Sequence, residues 1–419
     1  MRKVALVLIT IFCLAAPLSL AAGNGLALGK GLNDGKARIA TQAKNIIFMV
    51  PDGMSLDQVT AARILKNGPN GEPLALETLD FIGYQRTHSK DSLVTDSAAA
   101  GSAWAIGEKV ANRAVSCQVN DEHTMCVGEP TPTILEVAES LGMSSGLVAS
   151  SQISHATPAV FGAHTHIRYC GSEIARQYIE ETDVDVILGG GVYKTSSGVN
   201  CEIYGDSYDW EQQDIIELGQ DYGYTYASNL GELQSAVQAG DQKILGLFKD
   251  YKQGKTPELF RIAPYTDEEV PEYPEGEPTL PEMTAAAIDV LEEDSDGFFL
   301  MVEGSQVDWA AHGNAMEYIM GEMLAFDEAV EVVLDWVEAD PIRRAQTLVI
   351  VAGDHDTGGF AVNGPYGRLS EKGEFVEDGW TSGGHTAGDV TVWSQGPQAW
   401  QLARPVDNTD FYDVMLDAL

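Results

Sequence analysis

Apolar, β-branched runs separated by helical patterns set the strongest limit on what this chain can fold into. The segments Asn45–Val50, Ser145–Ala149, Asp185–Leu188, Gly297–Val302 and Thr347–Ala352 are rich in Val, Ile, Leu, Phe and Met. Strands that read this way are buried on both faces, and amphipathic stretches between them supply the covering helices. Helices are expected over Thr133–Leu141, Glu173–Glu181, Glu232–Ala239, Pro281–Glu293 and Met316–Glu338. The pattern predicts an α/β fold: one large three-layer domain with a mainly parallel central sheet and surface loop insertions. Two such loops are expected, a Pro- and Glu-rich connection from Tyr265 to Leu280 and an insertion from Asn363 to Ser382. Neither carries enough periodic apolar sequence to be a domain, so residues 22–419 read as one unit.

Ligands of open α/β sheets gather beyond the carboxyl ends of the strands. Asp52 follows the first apolar run, Glu303 the fourth and Asp354-His355 the fifth. That convergence on one edge is more than scattered surface carboxylates would give. In the stretch Glu303-x4-Asp308-x3-His312, a helix after the strand would put Asp308 and His312 on one face, four residues apart, able to share a cation. The plainer reading is a capping aspartate and a half-buried histidine. His385 stands alone downstream.

Asp96-Ser97 precedes Ala98-Ala99-Ala100-Gly101, a sequence that starts a helix at or near the serine. Free N–H groups and the positive dipole end favour phosphate at such a place, although an Asp-Ser pair is often only a cap. A serine hydroxyl is a poor nucleophile unless a base or a cation stabilises its alkoxide. Carboxylates and imidazoles can hold that cation, so the combination points to metal-assisted phosphoryl transfer through serine. Gly189-Gly190-Gly191 lacks a following Lys-Ser/Thr and reads as a tight turn rather than a phosphate cradle.

Residues 1–21 have the layout of a secretory signal: Arg2 and Lys3, an apolar stretch from Val4 to Leu20, and small residues at Ser19-Leu20-Ala21. An exported, periplasmic or extracellular protein is expected. Four cysteines follow it, Cys117, Cys126, Cys170 and Cys201, an even count that fits two disulfides. Three connectivities are open, and short local loops favour Cys117–Cys126 with Cys170–Cys201. The formal net charge of −38 argues against nucleic acid or anionic membrane surfaces as partners. A phosphate ester is itself an anion, so any attraction to it must be local.

The strings Val50-Pro51-Asp52-Gly53-Met54, Thr95-Asp96-Ser97-Ala98-Ala99, His155-Ala156-Thr157-Pro158, Val302-Glu303-Gly304, Asp354-His355 and His385-Thr386 resemble those of the alkaline phosphatases in order and spacing. Each is modest alone; together they span most of the chain after the signal. The resemblance implies a phosphate monoesterase that works through a covalent phosphoseryl intermediate at Ser97, with two zinc ions and one magnesium. By motif position Asp308, His312 and His385 would hold one zinc, and Asp52, Asp354 and His355 the other. Each zinc would then keep an open coordination place. Asp52, Glu303 and Thr157 would hold the magnesium. Arg168 falls where the family keeps the arginine that clamps two phosphate oxygens. Three divalent cations and Arg168 outweigh the four ligand carboxylates, which resolves the problem of an anionic substrate on an acidic protein.

Two positions depart from the enteric-type pattern, His155 where that branch has Asp and Trp309 where it has Lys. The pair resembles that of marine and cold-adapted bacterial members. With Asp96, these residues are expected beside the ligands, His155 standing behind the magnesium oxygens; the other reading has His155 ligate the third metal directly, with zinc in place of magnesium. Losing the lysine implies weaker retention of product phosphate. The family resemblance also implies a homodimer acting on a broad range of monoesters. His88, His123, His164 and His166 carry no motif support. The rivals are a diesterase, phosphonate hydrolase or sulfatase of the same superfamily, and a non-catalytic exported binder of phosphate or metal. The Ala98-Ala99 that follow Ser97 do not match the sulfatase Cys/Ser-x-Pro-x-Arg string.

Overall fold

The computed structural model describes residues 42–192, 201, 212–249, 254–266 and 269–419. The expected signal lies outside them. Ten strands form one sheet: β1 Asn45–Pro51, β2 Phe81–Arg86, β3 Ser144–Ala149, β4 Val186–Gly189, β5 Thr225–Ala227, β6 Ile244–Leu247, β7 Phe298–Gly304, β8 Thr347–Ala352, β9 Val390–Gln395 and β10 Pro405–Asp407. Their order is β10-β2-β9-β8-β1-β7-β3-β4-β6-β5. Only β9 runs antiparallel to its neighbours, β2 and β8. All five strands expected from the apolar runs are present, shifted by one or two residues at most, and the five expected helices form as well.

Alternation along β1 shows why the fold has three layers. Ile46, Phe48 and Val50 face one core, where Phe48 packs on Trp104, Phe161 and Phe411 at centroid distances of 5.0, 5.7 and 6.0 Å. Ile47 and Met49 face the opposite core, built with Met323, Phe326 and Val330 from the helix Met316–Glu338. β1 is apolar from Ile46 to its end at Pro51, as burial on both faces demands, and Asp52 is the first residue beyond it.

The sequence missed β2, β5, β6, β9 and β10. Of these, β5 and β6 are short, and β2 is half exposed. The insertion read as loop from Asn363 to Ser382 contains part of an antiparallel ribbon, Ala361–Gly364 against Glu377–Gly379. The connection Tyr265–Leu280 has no strand or helix among its described residues before Leu280, but it is not purely surface. Its Tyr273 hydroxyl lies 2.6 Å from the Nζ of Lys255, a residue 1% exposed, and Glu277 accepts from the Thr256 amide at 2.7 Å. The Pro- and Glu-rich composition hid that inward role.

Candidate metal centre and nucleophile

Two strand registers and the end of β8 bring the ligands together. Pro51 pairs with Gly304 across β1 and β7, and Ala149 pairs with Glu303 across β3 and β7, so Asp52 and Glu303 leave the sheet side by side. β8 ends at Ala352, two residues before Asp354. After β7 the chain enters a short helix, α1, Gln306–His312, which carries Asp308 and His312 four residues apart with 3.4 Å between Oδ2 and Nε2. The Gln306 amide pins the start of α1 by donating to the Ser150 and Lys255 carbonyls at 2.9 and 2.8 Å. His385 enters from a two-residue ribbon, His385–Thr386 paired with Asp356–Thr357.

Ser97 opens the second helix of the site, Ser97–Ile106. Asp96 caps it, with Oδ1 accepting from the Ala99 amide at 3.1 Å and from the Arg113 amide at 2.9 Å. The Ser97 and Ala98 N–H groups belong to the first turn, where no helical acceptor exists. The Ser97 Oγ lies 3.3 Å from His355 Nε2.

The histidines are oriented alike. His312 Nδ1 lies 2.8 Å from the Gly383 carbonyl and His385 Nδ1 2.8 Å from the Thr95 carbonyl, so in both the proton sits on Nδ1. Thr357 donates its hydroxyl to Asp308 Oδ1 at 2.5 Å and therefore accepts from His355 Nδ1 at 3.2 Å. All three rings turn Nε2 inward, and in His312 and His385 it carries the lone pair, the arrangement in which an imidazole ligates a metal.

Around them the carboxylates are buried without relief. Asp52 is fully buried, and neither of its oxygens has a hydrogen-bond partner; Glu303 Oε1 and Thr157 Oγ1 are buried and without a hydrogen-bond partner as well. Burial and the neighbouring Asp354, Asp308 and Glu303 charges push the Asp52 carboxyl well above its usual range, and burial pushes Glu303 up to about 7. Asp354 goes the other way: against its burial, His355 holds it below its usual range, aided by the Gly53 amide, which donates to Oδ1 at 2.9 Å. Negative oxygens crowded this closely are stable only with cations among them.

Three groups of side chains converge closely enough to share an ion: Asp308, His312 and His385; Asp52, Asp308 and His355; and Asp52, His155 and Glu303. Asp308 thus faces two of the groups. Asp354 reaches the second through His355, with Oδ2 3.1 Å from Nε2. His155 does not stand apart, because its ring lies within ligand range of Asp52 and Glu303, while Arg168 donates to its Nε2 at 3.1 Å. Burial and the Arg168 charge lower its pKa to about 3, so it is neutral. Arg168 also pairs with Asp96 at 3.0 Å, and Trp309 stacks edge-on against His155 with ring centroids 5.9 Å apart. A pocket of about 320 Å3 opens over Ser97, lined by His155, Arg168, Tyr169, Asp308, Trp309, His312 and His385. Both expected disulfides form, Cys117–Cys126 and Cys170–Cys201.

Sequence reasoning overlooked Gly53, Thr357 and Ser151. Thr357 fixes both Asp308 and His355, Gly53 donates to Asp354, and Ser151 lies 3.5 Å from Glu303. For Gly53 and Thr357, adjacency to Asp52 and His355 in the sequence was the one available signal; Ser151 had none.

A helix-start serine facing buried carboxylates and inward imidazoles, on the carboxyl edge of a mainly parallel sheet, defines a metal-dependent hydrolase. The alkaline phosphatase family model matches residues 43–374. Alkaline phosphatase 3 of Bacillus subtilis is 31% identical over 454 residues, covering 90% of this chain and 89% of that protein. The alkaline phosphatase of Escherichia coli is 31% identical over 429 residues, covering 90% and 86%. The structure of alkaline phosphatase from the Antarctic bacterium TAB5 aligns with a TM-score of 0.70 and 27% identity, covering 90% of this chain and 98% of that one. The chain belongs to the alkaline phosphatase family and is a phosphate monoester hydrolase.

Proposed function

We propose that Ser97 is the nucleophile, that Arg168 clamps the phosphoryl group, and that Asp52, Thr157, Glu303, Asp308, His312, Asp354, His355 and His385 hold two zinc ions and one magnesium. The observation that carries this reading is the Ser97 hydroxyl beside inward imidazole lone pairs and carboxylate oxygens that lack any other partner. The donor sets fit the ions: two imidazoles and a carboxylate at Asp308 suit zinc, and the oxygens of Asp52, Glu303 and Thr157 suit magnesium. His155 is within reach of that third ion. Bound there, divalent cations supply Lewis-acid stabilisation of negative oxygen and a lower pKa for water.

The protein's own groups do the rest. Ser97 Oγ bonds to phosphorus in line as the ester P–O bond breaks, and the alcohol departs. Water then attacks the phosphoserine, restoring Ser97 and releasing inorganic phosphate. The Ser97 and Ala98 N–H groups and the Arg168 guanidinium face the equatorial oxygens, where charge builds in the transition state. Asp96 and His155 hold that guanidinium flat to the pocket from two sides. The reading extends to an exported homodimer, supported by the signal-like start and the two disulfides for its address and by family resemblance for its assembly.

The test is hydrolysis of p-nitrophenyl phosphate and bis-p-nitrophenyl phosphate across pH, on chelated protein and after zinc and magnesium are restored. The monoester should be strongly preferred, and activity should vanish and return with the metals. Diester preference, or turnover in fully chelated protein, would contradict the proposal.

A further inference from the structure

Trp309 lines the phosphate pocket and stands edge-on to His155, and a segment that supplies no residue to that pocket supports the outer edge of its ring. The support is Gly254. A Cβ built there would stand 2.9 Å from Trp309 Cη2, 3.1 Å from Cζ3 and 3.3 Å from Ser151 Cα. The φ of Gly254 is +59°, in the left-handed region that glycine adopts without steric cost. The outer carbons of the indole therefore rest on bare backbone.

That backbone is fixed in place. Lys255 donates its amide to the Ser150 carbonyl at 3.2 Å, and the Gln306 side chain, at the start of α1, donates to the Lys255 carbonyl at 2.8 Å. The Gly190 backbone crowds the same segment: a Cβ on Gly190 would stand 2.6 Å from the Gly254 carbonyl carbon and 2.7 Å from Gly254 Cα. The run Gly189-Gly190-Gly191 thus serves this close approach rather than a phosphate. The Lys255 side chain adds a clamp. It is 1% exposed, its ammonium donates to the Tyr273 hydroxyl at 2.6 Å and to the Pro278 carbonyl, and Glu277 lies 3.8 Å away. A buried ammonium is stable only with such partners, so they hold the chain that carries it.

We propose that Gly254, pinned by Lys255, is a positioning residue for the reaction: it sets where Trp309 stands and hence the shape of the phosphate pocket. A close-packed contact passes a displacement on, because neither side has slack. A side chain at position 254 pushes Trp309 off its seat, and the pocket wall moves with it. The inference rests on the phosphatase reading of that pocket.

The experiment measures p-nitrophenyl phosphate kinetics for Gly254→Ala in the metal-loaded enzyme, alone and combined with Trp309→Phe. Phenylalanine at position 309 lacks the outer indole carbons that meet the added methyl. Gly254→Ala should raise KM about tenfold while kcat changes by about twofold or less. In the Trp309→Phe background the same substitution should shift KM by about twofold or less, because the left-handed strain and the Ser151 contact stay while the clash is gone. A merely structural glycine would lower the melting temperature and leave KM alone in both backgrounds. Labelling with 5-fluorotryptophan gives a second readout on the unmutated chain. Its fluorine sits on Cζ3, and the resonance absent from Trp309→Phe belongs to Trp309. That signal should be shielded from the H2O–D2O isotope shift that Trp400, 58% exposed, shows in full. Should Gly254→Ala fail to fold, the fluorine readout decides. An unchanged KM in Gly254→Ala, an equal rise in both backgrounds, or a full isotope shift at Trp309 would each overturn the proposal. Failure of the phosphatase reading would instead show as a wild type that does not turn over the monoester, so the two failures are distinct.

Discussion

Gly53 is the residue whose replacement should most cleanly separate folding from metal binding. It follows Asp52 with φ +71°, a left-handed conformation that costs a side-chain-bearing residue about 1–2 kcal/mol. A Cβ there would stand 2.7 Å from Thr357 Oγ1, 2.9 Å from Asp308 Oδ1 and 3.0 Å from Asp308 Cα. The last is backbone and cannot swing aside, so overpacking adds about 1–3 kcal/mol. Gly53→Ala should therefore lose about 2–5 kcal/mol. With an unfolding entropy of roughly 2 cal/mol/K per residue, a chain of 419 residues should melt about 2–6 °C lower. The displaced groups are Asp308 and the hydroxyl that orients it, so the metal retained after dialysis should fall along with the melting temperature. Differential scanning calorimetry of chelated protein isolates the strain, and metal analysis reads the ligand shift. A variant that melts like wild type and keeps its full metal complement would refute the placement of Gly53 against Asp308.

Asp96→Ala removes a helix cap, an acceptor for the Arg113 amide and the partner of Arg168, and should cost about 2–3 kcal/mol and raise KM for p-nitrophenyl phosphate; Asp96→Asn, which keeps the cap, should lose much less stability while still raising KM. Burial and Glu258 raise the Glu322 carboxyl to about 8, so the folded state holds a proton that the unfolded chain has released. Stability is therefore lost as pH rises from about 4.5 to 8, and Glu322→Gln should hold its melting temperature over that range, ending a few kcal/mol above wild type at pH 9. Parallel melting curves for the two proteins would count against this burial penalty. Trp309→Lys should tighten inhibition by inorganic phosphate by about fivefold, near 1 kcal/mol, and an unchanged inhibition constant would argue that no such charge reaches the product.

The parts of the fold that could be read from sequence are those where burial leaves no choice. β1, β7 and β8 carry apolar runs buried on both faces, and the first acidic residues at their carboxyl ends are the proposed ligands. The strands β2 and β10 sit at the antiparallel flank, where β2 is partly exposed and the apolar signal is diluted. Short β5 and β6 lie at the other edge. Within the site, Asp52, Glu303, Asp354 and His355 could be placed from strand ends alone, whereas joining His385 to them needed the motif order, because its ribbon partner Asp356–Thr357 pairs across a long insertion. The double role of Asp308 and the reach of His155 toward Asp52 and Glu303 depend on side-chain directions that spacing does not encode.

The central claim is that phosphorus passes through Ser97, and acid-quenched turnover of ³²P-labelled monoester followed by peptide mapping tests it most directly. Label should appear on the peptide that contains Ser97 in the metal-loaded wild type and on no peptide of Ser97→Ala. Covalent label elsewhere in the chain, or label that survives in Ser97→Ala, would contradict the account.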